Sequence, residues 1–257
     1  MRPSKIRQKL RAGGVVRIAN VGHYLPYFPH LAAHFGFDGV WVDAEHRAWD
    51  PREIGAMIAQ HHLADIDCVW RTPTIEKSGI ARLLEDGASA IMIPHVNTPE
   101  RAALLAEAAK FPPLGDRGLD GAAHDAGYWV GKSPDYVQLA NEETLLILQI
   151  ETPVAVSNID AIISTPGVDL IFVGPGDLSL RLGCRATVSD PVLRKAVETV
   201  AAACERAGKP WGIPAGTEEE IRAVVDMGCR FVAHGGEFWA IHDRLRESQE
   251  TLDKALG

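Results

Sequence analysis

The 257-residue chain is short of cysteine and lysine and contains no long apolar run. Its four cysteines, Cys68, Cys184, Cys204 and Cys229, are widely separated and form no C-x-x-C pair. That spacing reads as buried, reduced thiols and argues against a zinc site or disulfides. No stretch approaches the roughly 18 uninterrupted apolar residues of a membrane span. The basic opening, MRPSKIRQKLRAGG, leads into no apolar run of the signal-peptide kind, so the expected location is cytoplasmic. A basic excess is missing as well: the net charge of −8 counts against a nucleic-acid-binding face. The remainder is ordinary. With 46% hydrophobic and 23% charged residues, the composition excludes disorder, collagen-like structure and a disulfide scaffold.

The length permits two small domains or one large one, and a (β/α)8 barrel uses about 250 residues as a single unit. Short β-branched or aromatic runs recur with helical segments between them. They predict strands at 15–21, 39–45, 67–72, 90–96, 145–151, 168–174, 210–215 and 231–235. Several are apolar at consecutive positions, such as Ile91-Met92-Ile93, as parallel strands covered on both faces require. Helix-start chemistry lies between them. Asp50-Pro51-Arg52-Glu53 offers an N-cap, a first-turn proline and a capping-box glutamate, and Thr98-Pro99-Glu100 and Thr217-Glu218-Glu219-Glu220 repeat the theme. Eight strands alternating with helices, without a linker-like break, predict one α/β domain over 1–257, a closed (β/α)8 TIM barrel. A doubly wound open sheet is the alternative, but no G-x-G-x-x-G follows the first strand. One segment, 111–133, is rich in glycine and proline and breaks the alternation. It reads either as a lid or binding loop or as a solvated surface excursion.

In such a barrel, residues at the C-terminal strand ends converge on one site. Strand two ends in Val42-Asp43-Ala44-Glu45-His46, strand three at Arg71, strand four at Pro94-His95, strand five in Gln149-Ile150-Glu151, and strand six runs into Gly174-Pro175-Gly176-Asp177. Glu151 and Asp177 end neighbouring strands. Two unpartnered carboxylates close together repel, and a hard divalent cation resolves the conflict. Magnesium, manganese or cobalt suits such a pair, whereas ordinary salt bridges to arginine are the plainer reading. The amides of Gly176 and Asp177, at a helix start, suit a substrate carboxylate, although Gly-Pro-Gly-Asp is also a good plain turn. Arg71 suits an enolate or ketone oxygen; its alternative is a salt bridge to Asp43 or Glu45. His46 suits acid–base work, with Asp43 orienting it, or else a structural role.

These residues carry a resemblance. The segments GFDGVWVDAEH (36–46), Asp86-Gly87-Ala88, IMIPHV (91–96), PPLGDRG (112–118), QIET (149–152), Gly167-Val168-Asp169 and VGPGDLS (173–179) resemble the HpcH/HpaI family of class II, metal-dependent pyruvate aldolases. Strand order and spacing agree over nearly the whole chain. The resemblance implies a barrel of the phosphoenolpyruvate/pyruvate-domain type. It implies a homo-hexamer, a trimer of dimers, in which the C-terminal helix at 238–256 is exchanged between subunits. By the family pattern Glu151 and Asp177 bind the metal, pyruvate chelates it, and Gln149 and Arg71 contact the pyruvate. His46, paired with Asp43, works in proton transfer. Glu85 stands where the family usually has an aspartate that reaches a neighbouring subunit's site. Two further departures are Gly235-Gly236-Glu237, where relatives more often place an aspartate, and Asn20-Val21-Gly22-His23 on strand one.

The reading that follows is a carbon–carbon lyase acting on a 2-oxo acid, pyruvate or hydroxypyruvate, and an aldehyde through a metal-stabilised enolate. A Schiff-base aldolase needs a lysine inside the barrel, and none of the eight lysines lies at a predicted C-terminal strand end. A CoA-thioester lyase of the citrate lyase beta-like group shares the barrel and the metal carboxylates, but the basic residues it uses for a nucleotide are not identifiable. A non-catalytic oxo-acid-binding barrel needs no acid–base pair. The expected partners are a small 2-oxo acid and an aldehyde, with no nucleic acid and no membrane.

Overall fold

A computed structural model describes residues 1–257. The chain opens with helix α1 (Lys5–Arg11), then alternates β1 (Val16–Val21), α2 (Phe28–His34), β2 (Gly39–Asp43), α3 (Pro51–Leu63), β3 (Asp67–Arg71), α4 (Lys77–Glu85) and β4 (Ala90–Ile93). Helices α5 (Pro99–Ala109) and α6 (Tyr136–Glu143) precede β5 (Leu145–Ile150), and α7 (Pro153–Ser157) and α8 (Ile159–Ser164) precede β6 (Leu170–Val173). The last third holds α9 (Pro175–Leu182), α10 (Pro191–Ala207), β7 (Trp211–Pro214), α11 (Glu218–Asp226), β8 (Phe231–Gly236) and α12 (Glu237–Leu256). All eight strands are parallel, and they close in sequence order into a barrel, β1 pairing with β8. The predicted (β/α)8 barrel is therefore the observed one, and the open-sheet alternative is excluded.

Two apolar layers hold it. Inside the barrel, Val69, Met92, Ile147, Phe172 and Phe231 pack with neighbours from the other strands. Outside, a larger cluster of 46 buried residues fills the space between strands and helices. Strands β4 and β6 are buried at every position, as their unbroken apolar runs require. The helix starts form as their sequences dictate: Asp50 and Glu53 make a reciprocal capping box, and Thr98 and Thr217 accept from the third residue of their helices.

Helix α1 plugs the N-terminal end of the barrel. Ile6 joins the interior cluster, and the buried Asp67 carboxylate at the foot of β3 accepts from Ser4 Oγ at 2.6 Å and from the Ile6 N–H at 2.9 Å. With that end sealed, the C-terminal mouth is left for chemistry.

The 111–133 segment is anchored at buried points, although many of its residues are exposed. Arg117 and Asp125 form a buried ion pair at 2.8 Å, Tyr136 donates to the same carboxylate at 2.6 Å, and the guanidinium lies 4.7 Å over the Phe111 ring. The Asp125 N–H bonds to the Glu85 carbonyl at the end of α4. That contact places the segment at the N-terminal end of the barrel, so it is not a lid over its own chain's mouth. No helix is long and apolar enough to cross a membrane.

Candidate active site

The parallel register sets Asp43 directly beside Arg71, the last residues of β2 and β3. Arg71 Nε donates to Asp43 Oδ1 at 3.1 Å and Nη2 lies 2.8 Å from Oδ2, a bidentate pair. Nη1 lies 2.8 Å from Glu45 Oε2, an ion pair without a well-aligned hydrogen bond, because that oxygen is buried and has no directed donor. The guanidinium also stacks 4.5 Å over the Trp41 ring. Burial pushes the Asp43 carboxyl upward. The Arg71 guanidinium, helped by the Glu45 and His46 backbone N–H groups, outweighs burial and holds it below the usual value.

On the other side of the mouth, Gln149 bridges the two halves. Its Oε1 is 3.5 Å from Arg71 Nη1, and its Nε2 donates to Glu151 Oε2 at 2.6 Å. The second oxygen of Glu151 accepts the His95 N–H at 2.7 Å and lies 2.7 Å from His95 Nδ1, while His95 Nε2 is 3.4 Å from Glu45 Oε1. Arg71, Gln149, Glu151, His95 and Glu45 thus form a closed ring of polar contacts. Burial raises the Glu151 carboxyl; the His95 N–H and ring oppose that, and Glu45 and Asp177 add to it, leaving a net rise. The ring requires glycine at position 174, where a Cβ would stand 2.5 Å from Glu151 Oε2.

Sequence-predicted residues fall unevenly on this geometry. Arg71, Gln149 and Glu151 are in the ring. Asp43 is beside it but does not orient His46. It accepts the His46 main-chain N–H at 3.4 Å, while the exposed ring is 3.6 Å from Glu45 Oε2. The expected Asp43–His46 pairing is not formed; the alternative reading, an Arg71–Asp43 salt bridge, is the observed one, because in-register strand neighbours on one face meet first. Asp177, in the first turn of α9, points its carboxylate at Arg181 Nη1, 2.5 Å away, rather than sharing a position with Glu151. Gly176 sits beside it in open space. Glu85 ends α4 at the opposite end of the barrel and takes no part in this chain's own ring; burial raises its carboxyl, partly offset by Arg117. Of the other two ring members, Glu45 was expected only as an alternative salt-bridge partner of Arg71, and the 2.8 Å contact is that salt bridge. His95, at the end of the fourth predicted strand, carried no assigned role.

Donor atoms of Glu45, His95 and Glu151 all lie within 4.8 Å of one another. Four carboxylates at the mouth, Asp43, Glu45, Glu151 and Asp177, face only two guanidinium groups, those of Arg71 and Arg181. A buried carboxylate oxygen without a directed donor and this excess of negative charge fit a divalent cation. A lysine is absent from the ring: Lys110 is tied to the Thr144 carbonyl and Asp169, and Lys209 to the Ile163 carbonyl, all at the sealed end. Beside the ring, the mouth widens into a cavity of about 720 Å³ whose lining includes Asn20, Trp41, Thr187, Pro214, His234 and Trp239.

A parallel eight-stranded barrel that gathers a fixed guanidinium and clustered carboxylates at the C-terminal ends of its strands has the layout of a (β/α)8 enzyme. The chain belongs to the HpcH/HpaI aldolase/citrate lyase family, whose model matches residues 25–240. It is 32% identical over 248 residues to a hydroxypyruvate/pyruvate aldolase of Pseudomonas aeruginosa, covering 95% of this chain and 91% of that one. It is 35% identical over 222 residues to a 5-keto-4-deoxy-D-glucarate aldolase of Salmonella paratyphi A, covering 85% of each. Among solved structures, an HpcH/HpaI aldolase from Desulfitobacterium hafniense superposes with a TM-score of 0.88 at 30% identity, covering 96% of this chain and 95% of that one.

Proposed function

We propose that this chain is a carbon–carbon lyase that reversibly joins a 2-oxo acid, pyruvate or hydroxypyruvate, to an aldehyde by way of an enolate, with a divalent cation as cofactor. The observation that carries this reading is the Arg71–Gln149–Glu151–His95–Glu45 ring at the barrel mouth. Its setting, a chain at least 30% identical to two named aldolases, supports it.

Glu151 and Asp177, with Glu45 beside them, are the residues to hold the ion, and magnesium, manganese and cobalt are its candidates. When bound, the cation supplies electrophilic stabilisation to the oxygen on which enolate charge develops. Arg71 contributes a fixed positive charge there, held in plane by Asp43 and needing no reorganisation as charge builds. Its long, 3.5 Å contact to Gln149 leaves donor capacity for a substrate oxygen between the two side chains. The Gly176 and Asp177 amides, in the first turn of α9, bind the substrate carboxylate. His46, exposed at the rim, holds or releases the proton at its imidazole as the carbon–carbon bond forms or breaks. The adjoining cavity past Asn20 and Trp41 takes the aldehyde.

A homo-hexamer built as a trimer of dimers belongs to the same proposal, with the 238–256 helix exchanged and Glu85 serving a neighbour's mouth. The exposed apolar side chains of α12, Phe238, Trp239, Ile241, Leu245 and Leu252, support it. Pyruvate turnover with a panel of aldehydes tests the whole reading. Activity should vanish in chelator and return with magnesium, manganese or cobalt. Full activity in chelator, combined with inactivation by borohydride in the presence of pyruvate, would mean a Schiff base and sink the proposal.

A further inference from the structure

Arg47 follows His46 in the loop after β2. Although exposed, its side chain folds back over the end of β1, where a Cβ on Gly22 would stand 3.2 Å from Arg47 Cγ and 3.4 Å from Nε. Any larger residue at position 22 would claim the space this stem fills. Register fixes what that space faces. Strands β1 and β2 pair Asn20 with Trp41 and Val21 with Val42, which sets Gly22 beside Asp43. Trp41 packs against the barrel interior and Asp43 grips Arg71, so position 22 shares their inward face. Arg47 therefore lays a further guanidinium over the mouth on its β1 side, above Asn20 and the cavity that Asn20 lines.

This guanidinium is uncommitted. Its Nη1 donates to the His46 carbonyl at 2.8 Å, which uses one of five donors. The carboxylates on this stretch of the rim are engaged elsewhere. Asp43 and Glu45 pair with Arg71, and Glu237 Oε1 accepts the Gly22 N–H at 2.9 Å and lies 2.8 Å from His23 Nδ1. A rigid donor fork left open over a mouth suits a carboxylate, which it meets in bidentate fashion. The carboxylate of pyruvate is assigned to the Gly176 and Asp177 amides after β6, on another side of the barrel. Arg47 is therefore left for the other substrate. Glu220 and Asp243 line the far part of the cavity and repel an acid group there, which directs it to the Arg47 end.

Resting on the lyase reading above, we propose that Arg47 binds a carboxylate of the acceptor, so that this chain prefers aldehydes carrying an acid group to uncharged ones. Arg71 serves the enolate oxygen and Arg47 the acceptor, two guanidinium groups with separate tasks on one mouth.

Succinic semialdehyde and butanal, equal in carbon length and differing in the acid group, are the probes, with pyruvate and saturating metal. The readout is the ratio of their kcat/KM values, compared between wild type and Arg47→Gln, so that the intrinsic reactivities of the two aldehydes cancel. A lost hydrogen bond between charged groups costs roughly 10–100-fold, and the ratio should fall by that factor. Circular dichroism checks the fold of the variant. An unchanged ratio, whether both aldehydes are unaffected or both decline equally, overturns the inference. Exchange of the pyruvate methyl protons in wild type, measured without any aldehyde, reads the lyase proposal separately. Exchange with an unchanged ratio leaves the lyase standing without this role for Arg47. A wild-type protein that neither exchanges those protons nor consumes either aldehyde removes both.

Discussion

Alanine at position 174 probes whether the chemistry depends on how closely the end of β6 admits Glu151. Gly174 has φ −93, a conformation open to any residue, so the substitution acts through its methyl group alone. That Cβ would stand 2.5 Å from Glu151 Oε2, 2.6 Å from Gln149 Nε2 and 3.0 Å from Glu151 Cβ. The nearest two atoms are side-chain ends that can retreat, so the fold survives while the ring opens. Restoring ordinary contact moves the carboxylate by about 1 Å, a misplacement that costs on the order of 100-fold in rate. Overpacking costs about 1–3 kcal/mol, or roughly 2–12 °C in Tm at about 2–4 °C per kcal/mol. NMR-monitored exchange of the pyruvate methyl protons with deuterated solvent, at saturating metal, measures enolate formation without an aldehyde. Calorimetry follows the fold in parallel. Wild-type exchange and wild-type metal affinity in a folded Gly174→Ala protein would refute the claim that the Glu151–Gln149 geometry matters.

Other outcomes follow from the same contacts. Arg71→Ala should suppress both exchange and aldol turnover by about two orders of magnitude, near 3 kcal/mol, whereas His46→Ala should cost the aldol step roughly 10²–10⁴-fold and spare part of the exchange. Wild-type exchange in Arg71→Ala would move this arginine to the aldehyde or to structure. His61 is fully buried on α3, and burial lowers its imidazole from 6.5 to about 4, opposed mainly by its bond to the Met57 carbonyl. A depressed histidine binds its proton more readily in the unfolded chain, so its contribution is complete above pH 6.5 and is lost as pH falls toward 4. Denaturant titration should show about 2 kcal/mol of that loss at pH 5, absent in His61→Gln; equal pH slopes would discard it. Light scattering at micromolar concentration should give a hexamer, and a monomer would contradict the assembly.

The sequence was most legible where the physics is local. Parallel strands buried on both faces announce themselves as apolar runs, and seven of the eight fall within about two residues of the predicted ends; β4 stops at Ile93, three short of the predicted 96. Caps were equally plain, because Asp50 and Glu53 satisfy groups three residues apart. Illegible features are those in which distant residues meet. Nothing in 111–133 indicates that Arg117 will be buried against Asp125 and Phe111. His95 read as the end of the fourth strand without a role of its own, and a positive φ brings its ring back between Glu45 and Glu151. Asp177 stood out for ending a strand next to that of Glu151, but its carboxylate makes the plainer salt bridge, to Arg181 one helical turn on, an i,i+4 pair.

The reassignment of Asp43 is the sharpest difference, and coupling energies can decide it. The chain neighbourhood of Asp43 and His46 suggested a carboxylate–imidazole pair. Register puts Asp43 opposite Arg71 instead, with two of the guanidinium donors on its two oxygens. If Asp43 works by holding Arg71 in plane, then Asp43→Asn already takes most of what Arg71 provides. The pair of substitutions should then cost much less than the sum of the singles in methyl-proton exchange. Residues in one network typically show interaction energies of about 0.5–3 kcal/mol, whereas independent sites add within about 0.5 kcal/mol. Asp43→Asn and His46→Ala, whose side chains do not touch, should approach additivity. The reverse pattern, additive with Arg71→Ala and strongly coupled to His46→Ala, would restore the carboxylate–imidazole pair. It would mean that the His46 ring swings onto Asp43 during turnover.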